Sequence, residues 1–512
     1  MSGPVSGPMS GYADHTKLAT RLVGGVWGHL VGDAVGVPYE FRSAQDVGQV
    51  AFGASGTYGQ PPGTWSDDGA LMLALLDSLL EPGGFDVADQ GRRSVAWMAD
   101  GAYTPDGDGA FDIGTTTRRA LAAIRDGADA ADAGPADEHS CGNGSLMRIL
   151  PLALVHHGAS DRDLVDMAHR ASRVTHGHPR AQVACALYVL IARRLLAGHA
   201  PGPALADARA GLRELYADDV DRLAALDHLE AYPERAGRGR VWDSFWSAWD
   251  AFAGAGSYRE TIERAIAYGN DTDTTAAIAG GLAGIHWGTD GIPAEWLAGM
   301  RGREVASPLV DRLLATVGWR TSTTNPIRVD WVADLPGVPG LRGAADAGGR
   351  LGMTFLPGKQ RDGWTGLHWR DLQTDVARLR GELGVDTFLL LVEDHELVSA
   401  RVPDLADTMA AAGIHLIRFP IVDMHVTPDR KGLRLVLDDV LARLARGESV
   451  AVACRGGMGR TGTIVGCLLR DGGLDPDAAI SLTRASRKNT IERDTQEQFV
   501  TAWEWPPREA LS

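Results

Sequence analysis

Cys454 and Arg460 stand six positions apart in the run VAVACRGGMGRTG, residues 450 to 462. The five residues between them are Arg455, Gly456, Gly457, Met458 and Gly459. An apolar strand that delivers a cysteine into such a loop builds an oxyanion cradle, because successive backbone N–H groups can converge on phosphate oxygens. Arg460 can grip two of those oxygens in a planar fork. The same donors favour a thiolate at Cys454, below the free value of roughly 8.5. This is equipment for attacking phosphorus and forming a phosphocysteine. Thr461 follows, ahead of a helix whose N-terminus adds partial positive charge, and its hydroxyl can hydrogen-bond the departing sulfur. The leaving group needs a proton, and Asp423 in FPIVDMHVTP is the candidate acid. Asp429 and His425 compete for that role nearby, and Asp423 also suits a turn before Pro428. Glu492 and Gln496 are weaker candidates for positioning the water of a second step.

A separate acidic constellation lies in the first 290 positions. GDAVGVPYEF supplies Asp33 and Glu40, Ser66-Asp67-Asp68 precedes an apolar helix, and Asp271-Thr272-Asp273-Thr274 precedes an Ala/Gly-rich one. Hard divalent cations take oxygen ligands of these types, and a metal pair can polarise an attacking water. Helix capping is the competing explanation for each cluster. One carboxylate suffices for a cap, however, and adjacent ones repel.

These residues need two different frames. Ala/Leu stretches at 71–80, 181–196, 205–226 and 262–285 predict an all-α domain over 14–318. A Gly/Ser/Pro-rich tail covers 1–13, a polar linker 319–326, and an α/β domain 327–508. In the last, strands are predicted at 385–392, 415–420 and 450–453, with helices at 402–412, 433–445 and from 463. That alternation implies a mostly parallel sheet with Cys454 at a strand's carboxyl end. Trp242, Trp246 and Trp249 recur at helical spacing and read as core. The formal charge of −16 argues against a nucleic-acid partner, and no apolar stretch of membrane-spanning length occurs. Four scattered cysteines suit the reducing cytoplasm, with Cys141 read as structural.

Six motifs in order, GDAVGVPYEF, SDDG, FDIGTTT, GNGSLMR, THGHP and GNDTDTTAAIAGGLAG, resemble the ADP-ribosylglycohydrolases from about Leu22 to Gly288. The resemblance implies an all-α fold with two magnesium or manganese ions. It makes Ser66, Asp67, Asp68, Asp271, Asp273 and Thr274 the ligands and puts Glu40 beside the attacking water or the ribose. Gly114, Ser140, Gly142, Asn143 and His178 fall in segments lining the ADP-ribose pocket of relatives, although a lone His also serves packing. Ser66 and Gly69 stand where many relatives have threonine. From about Pro326 to Phe499 the chain resembles the cysteine-dependent dual-specificity phosphatases, the kinase-associated phosphatase among them. LGMTFLPGKQRD, EL…RVPDL, FPIVDMHVTPD and CRGGMGRTG carry that likeness. It implies Cys454 as nucleophile, Arg460 as clamp, Asp423 as acid and Thr461 as helper. Ala453 stands where that family usually has histidine, and Arg455 is a charged neighbour.

Together these readings predict a bifunctional hydrolase. One half removes ADP-ribose from a modified protein or small molecule. The other removes phosphate from a protein or metabolite. The alternative is a protein in which one domain reads ADP-ribose or phosphate without turnover.

Overall fold

The computed structural model describes residues 9–504 apart from 55, 108, 364 and 365. The start of the predicted tail and the last residues of the predicted α/β domain lie outside the described residues. The chain divides into two compact units, Met1–Thr316 and Val317–Ser512.

The described part of the first unit is built of helices. Its axis is a close pair, Met9–Gly36 and Thr272–Trp287. Gly24, Gly28, Gly32 and Gly36 recur every fourth position on the first of these, so they share one face. A Cβ at Gly32 would lie 2.2 Å from the Ala276 carbonyl oxygen, and one at Gly28 2.4 Å from that of Gly280. At Gly36 it would lie 2.5 Å from the Asp273 Cα. The missing side chains therefore let two backbones touch, and they set the height at which the Asp271 cluster stands. Asp67–Leu79 and Pro179–Leu196 pack around the pair and are buried on nearly every side, as apolar-all-round helices must be.

The predicted stretches at 205–226 and 262–285 are each two helices. The first breaks after Leu215, and Asp219 caps the next helix by accepting from Arg222 N–H. The second breaks at Gly269 and Asn270, both with left-handed backbone. Trp246 and Trp249 are buried as predicted. Trp242 is only half-buried, edge-on to His228 at 4.8 Å and beneath the Arg180 guanidinium at 5.5 Å.

The second unit holds eight strands among its described residues: β1 (Arg320–Thr321), β2 (Asp330–Trp331), β3 (Arg350–Phe355), β4 (Gln360–Gly363), β5 (Gly366–Trp369), β6 (Thr387–Leu390), β7 (His415–Arg418) and β8 (Ser449–Cys454). The main sheet runs β2-β3-β8-β6-β7, with only β2 antiparallel. β1, β5 and β4 form a small second sheet. All six residues of β8 are buried, as a strand covered on both faces requires. In register, Phe355 on β3 stands opposite Cys454, and Leu390 on β6 opposite Ala453. The helix after the loop is Gly459–Asp471, which begins before residue 463 and takes Arg460 and Thr461 into its first turn. No helix among the described residues is long and apolar enough to cross a membrane.

Candidate active sites

In the first unit, Asp33 organises the acidic region from below. Its carboxylate accepts from the N–H groups of Ser66, at 2.9 Å, and Gly69, at 2.7 Å. It thereby seats the start of Asp67–Leu79, and burial pushes it up to about 7. The glycine-packed helix thus fixes the Asp67-Asp68 turn directly. Thr274 Oγ1 donates to Asp68 Oδ2 at 3.3 Å across 206 positions of sequence, and Ser66 Oγ donates to the same oxygen at 3.3 Å. Asn143 Nδ2 donates to Asp271 Oδ2 at 2.8 Å and to Ser244 Oγ at 2.9 Å. One carboxylate oxygen each of Glu40, Asp112 and Asp273 lie within 4.8 Å of one another. Asp112 belongs to FDIGTTT but carries no role in the sequence reading; its neighbours here are remote in sequence. Tyr58 hydroxyl donates to it.

Whether this set suits divalent ions is testable on its unpaired atoms. Glu40 Oε2, Asp68 Oδ1 and Asp273 Oδ2 are buried and have no hydrogen-bond partner. Burial first, then the Asp112 and Asp271 charges, pushes Glu40 up to about 9. Asp67, Asp68 and Asp273 are driven well above the carboxylate range by burial, then by neighbouring carboxylates. Concentrated anionic oxygens without donors are a poor structural choice unless cations join them. The residues fit a hard divalent ion.

The five residues implied as pocket lining are placed variously. Gly114 is an exposed helix cap with open space beside it. Ser140 donates to Asp137 at 2.9 Å. Gly142 bridges to Arg240 and lies against His176. Asn143 alone of the five hydrogen-bonds an acid of the cluster. His178 caps Pro179–Leu196, its Nδ1 accepting from Arg180 N–H at 3.1 Å. Cys141 is buried, which raises its thiol.

In the second unit, β8 delivers Cys454 into the Gly-rich loop, and Gly457 N–H donates to its Sγ at 3.3 Å. Gly457 has φ +72°, and a Cβ there would meet the Thr354 carbonyl oxygen at 2.2 Å. Arg460 is buried and gripped from one side. Glu396 takes its Nη1 and Nη2 at 2.7 and 2.8 Å, and the Ile421 carbonyl accepts from Nη1 at 2.8 Å. Asp423, 57% exposed, meets Nη2 at 2.9 Å. Arg460 Nε is buried without a partner, so one edge of the fork stays open. Glu396 lies in the EL…RVPDL run but carries no role in the sequence reading, because its partner is 64 positions away. Thr461 is buried and its hydroxyl makes no hydrogen bond.

Further cations and carboxylates back this loop. Lys359 Nζ donates to the Arg455 carbonyl at 3.2 Å, and Arg487 Nη2 to the Gly456 carbonyl at 3.2 Å. Burial lowers Lys359 to about 7, while Cys454 beside it acts in the opposite direction. A Cβ on Gly459 would crowd Glu492 and Gln496, which therefore abut the loop. Asp429 caps Arg430–Ala445 and His425 bonds the Asp423 carbonyl, so both are otherwise engaged.

Residues 14–322 match the ADP-ribosylglycohydrolase family, and residues 367–500 match the Swiss Army Knife protein, DSP-PTPase phosphatase domain. The ADP-ribosyl-(dinitrogen reductase) glycohydrolase of Rhodospirillum rubrum is 29% identical over 309 residues, covering 58% of this chain and 97% of the relative. An ADP-ribosylarginine hydrolase of Pseudomonas putida is 29% identical over 292 residues, covering 54% and 73%. Among solved structures, an ADP-ribosylglycohydrolase-related protein complex aligns at 32% identity over 59% of this chain and 99% of that one, with a TM-score of 0.49. A kinase-associated phosphatase whose catalytic-site cysteine is replaced by serine aligns at 24% identity over 34% and 93%, with a TM-score of 0.29. The chain belongs to the ADP-ribosylglycohydrolase family, and after that helical domain it carries a cysteine-based DSP-PTPase phosphatase domain, so both of its domains are of hydrolase families.

Proposed function

We propose that the first unit cleaves the N- or O-glycosidic bond joining ADP-ribose to a protein side chain or a small molecule. The observation that carries this is the trio of buried, unpartnered carboxylate oxygens on Glu40, Asp68 and Asp273. Ser66, Asp67, Asp68, Asp271, Asp273 and Thr274 would hold two magnesium or manganese ions, with Asp112 beside them. Bound divalent ions would supply Lewis acidity to the site. Glu40 would take a proton from the water that attacks the ribose carbon and return one to the departing side-chain atom. Asn143 would keep Asp271 oriented. Incubation of an ADP-ribosylated protein with either metal should release ADP-ribose, and Asp271→Ala should not. Equal release by that variant, or none by the parent with either ion, ends this reading.

The second unit, on the same proposal, hydrolyses a phosphate monoester of a protein or metabolite. The carrying observation is the Gly457 N–H on Cys454 Sγ beside the open edge of Arg460. Cys454 sulfur bonds to phosphorus as the ester oxygen departs, and Asp423 protonates that oxygen. Water then displaces the sulfur, which leaves as thiolate. The loop amides of Arg455, Gly456, Gly457, Met458 and Gly459 would cradle the phosphoryl oxygens. Cys454→Ser should abolish hydrolysis of an aryl phosphate. Four free cysteines suit a cytoplasmic setting. One observation favours a second reading: Ala453 offers the sulfur no donor where a histidine would. In that reading the second domain binds phosphate without turnover, and prolonged incubation yields binding but no product.

A further inference from the structure

A trans peptide group puts its carbonyl oxygen and its N–H on opposite edges. Whatever draws the oxygen outward therefore turns the hydrogen inward. Two consecutive peptide groups in the nucleophile loop have their oxygens drawn outward by cations. Lys359 Nζ takes the Arg455 oxygen at 3.2 Å, and Arg487 Nη2 takes the Gly456 oxygen at 3.2 Å. The N–H of that second group, on Gly457, is the one that donates to Cys454 Sγ.

Both cations are built into place. Gly358 N–H donates to Asp375 Oδ2 at 2.9 Å, and Asp375 forms a fully buried pair with Arg370 at 2.7 Å. Arg370 N–H closes on the Lys359 carbonyl at 3.3 Å, so the Lys359 backbone is pinned. Its ammonium is buried 4.5 Å from the centre of the Phe355 ring, and Phe355 stands in register with Cys454. Arg487 is anchored by an ion pair with Asp330 on β2. The Arg455 oxygen also accepts from Leu356 N–H at 3.4 Å, so the ammonium adds a charge to a carbonyl that already has a backbone partner.

We propose that Lys359 and Arg487 are positioning residues that hold the Arg455–Gly456 and Gly456–Gly457 peptide groups with their N–H edges toward the sulfur and the bound oxyanion. Their charges polarise these amides and strengthen them as donors. They thereby do from behind the loop what a hydrogen-bonding side chain at position 453 would do from in front. This inference rests on the reading of Cys454 as the nucleophile.

The test uses the full chain and iodoacetamide at pH 6, below the Lys359 value of about 7. All four cysteines are buried, so alkylation is assigned to Cys454 by peptide mass spectrometry, which separates it from Cys141, Cys185 and Cys467. Lys359→Met and Arg487→Met should each slow alkylation about fivefold and raise the inorganic phosphate needed for half-protection about fivefold. Lys359→Arg and Arg487→Lys, which keep the charge, should each lose less than the matching Met variant. Folded Met variants that alkylate at the parental rate overturn the inference. So does an equal loss in the charge-keeping variants, which would mark a merely structural role. A parent whose Cys454 reacts no faster than an unfolded cysteine peptide overturns the nucleophile reading together with this one. If Lys359→Met does not fold, Arg487→Met, on a partly exposed side chain, decides the matter.

Discussion

At the residue scale, the charges that matter are arranged in opposite ways in the two sites. The acidic cluster gathers carboxylates around one another, whereas Arg460 meets two carboxylates, one fixed and one exposed. Glu396 is only 4% exposed at its side chain and Arg460 2%, so their pair is held in a low-dielectric setting. Replacing Glu396 by glutamine keeps the shape and removes the charge. We expect kcat/KM for an aryl phosphate to fall about tenfold, measured by initial rates. Glu396→Ala should also destabilise the second unit by about 3 kcal/mol in denaturant titration. Cys454 and Arg460, the proposed nucleophile and clamp, were legible because they lie in one short loop. Asp112, Glu396 and Lys359 stand within quoted motifs, yet each acquires meaning only through partners brought from far along the chain. Local spacing carries no trace of such partners.

At the element scale, the glycine repeat of Met9–Gly36 is the part of the frame that places chemistry. Gly32→Ala would drive a Cβ into the Ala276 carbonyl, a backbone atom that has no rotamer to escape by. The expected cost is about 1–3 kcal/mol in thermal or chemical unfolding. Manganese affinity by calorimetry should weaken too, because Asp273 rides on the displaced helix. The repeat is plain in the sequence, but nothing local identifies its mate 244 to 260 positions on, at Ala276, Gly280 and Gly284. A second helix contact adds to acid sensitivity, alongside the buried His29 and His176. His169 Nε2 bonds Tyr216 hydroxyl at 2.7 Å, and burial lowers the imidazole to about 3. Between the unfolded value near 6.5 and that lower value, the unfolded chain binds a proton that the folded one refuses. Stability therefore falls as pH drops through this window, by up to about 1.4 kcal/mol per pH unit. His169→Gln should flatten that part of the stability–pH curve, read by urea midpoints from pH 6.5 to 4.

At the scale of the whole molecule, each unit closes its own core, so losses in one should spare the other. The α/β alternation was readable because β-branched runs and helical runs trade places every dozen or so residues. The small β1-β5-β4 sheet was not, since its strands are two to four residues long. Chelation should abolish ADP-ribose release and leave aryl phosphate hydrolysis intact. Added manganese should raise only the unfolding transition of the first unit, by calorimetric scanning. The two units also differ in the hardness of their reactive atoms. The acidic cluster presents oxygen alone, while the loop depends on one sulfur in its lowest oxidation state. Peroxide converts such a sulfur to a sulfenic acid, which thiols reverse, and leaves carboxylates untouched. On the proposed chemistry, an oxidising burst would thus switch this chain from two reactions to one, and recovery of the reducing environment would restore the second.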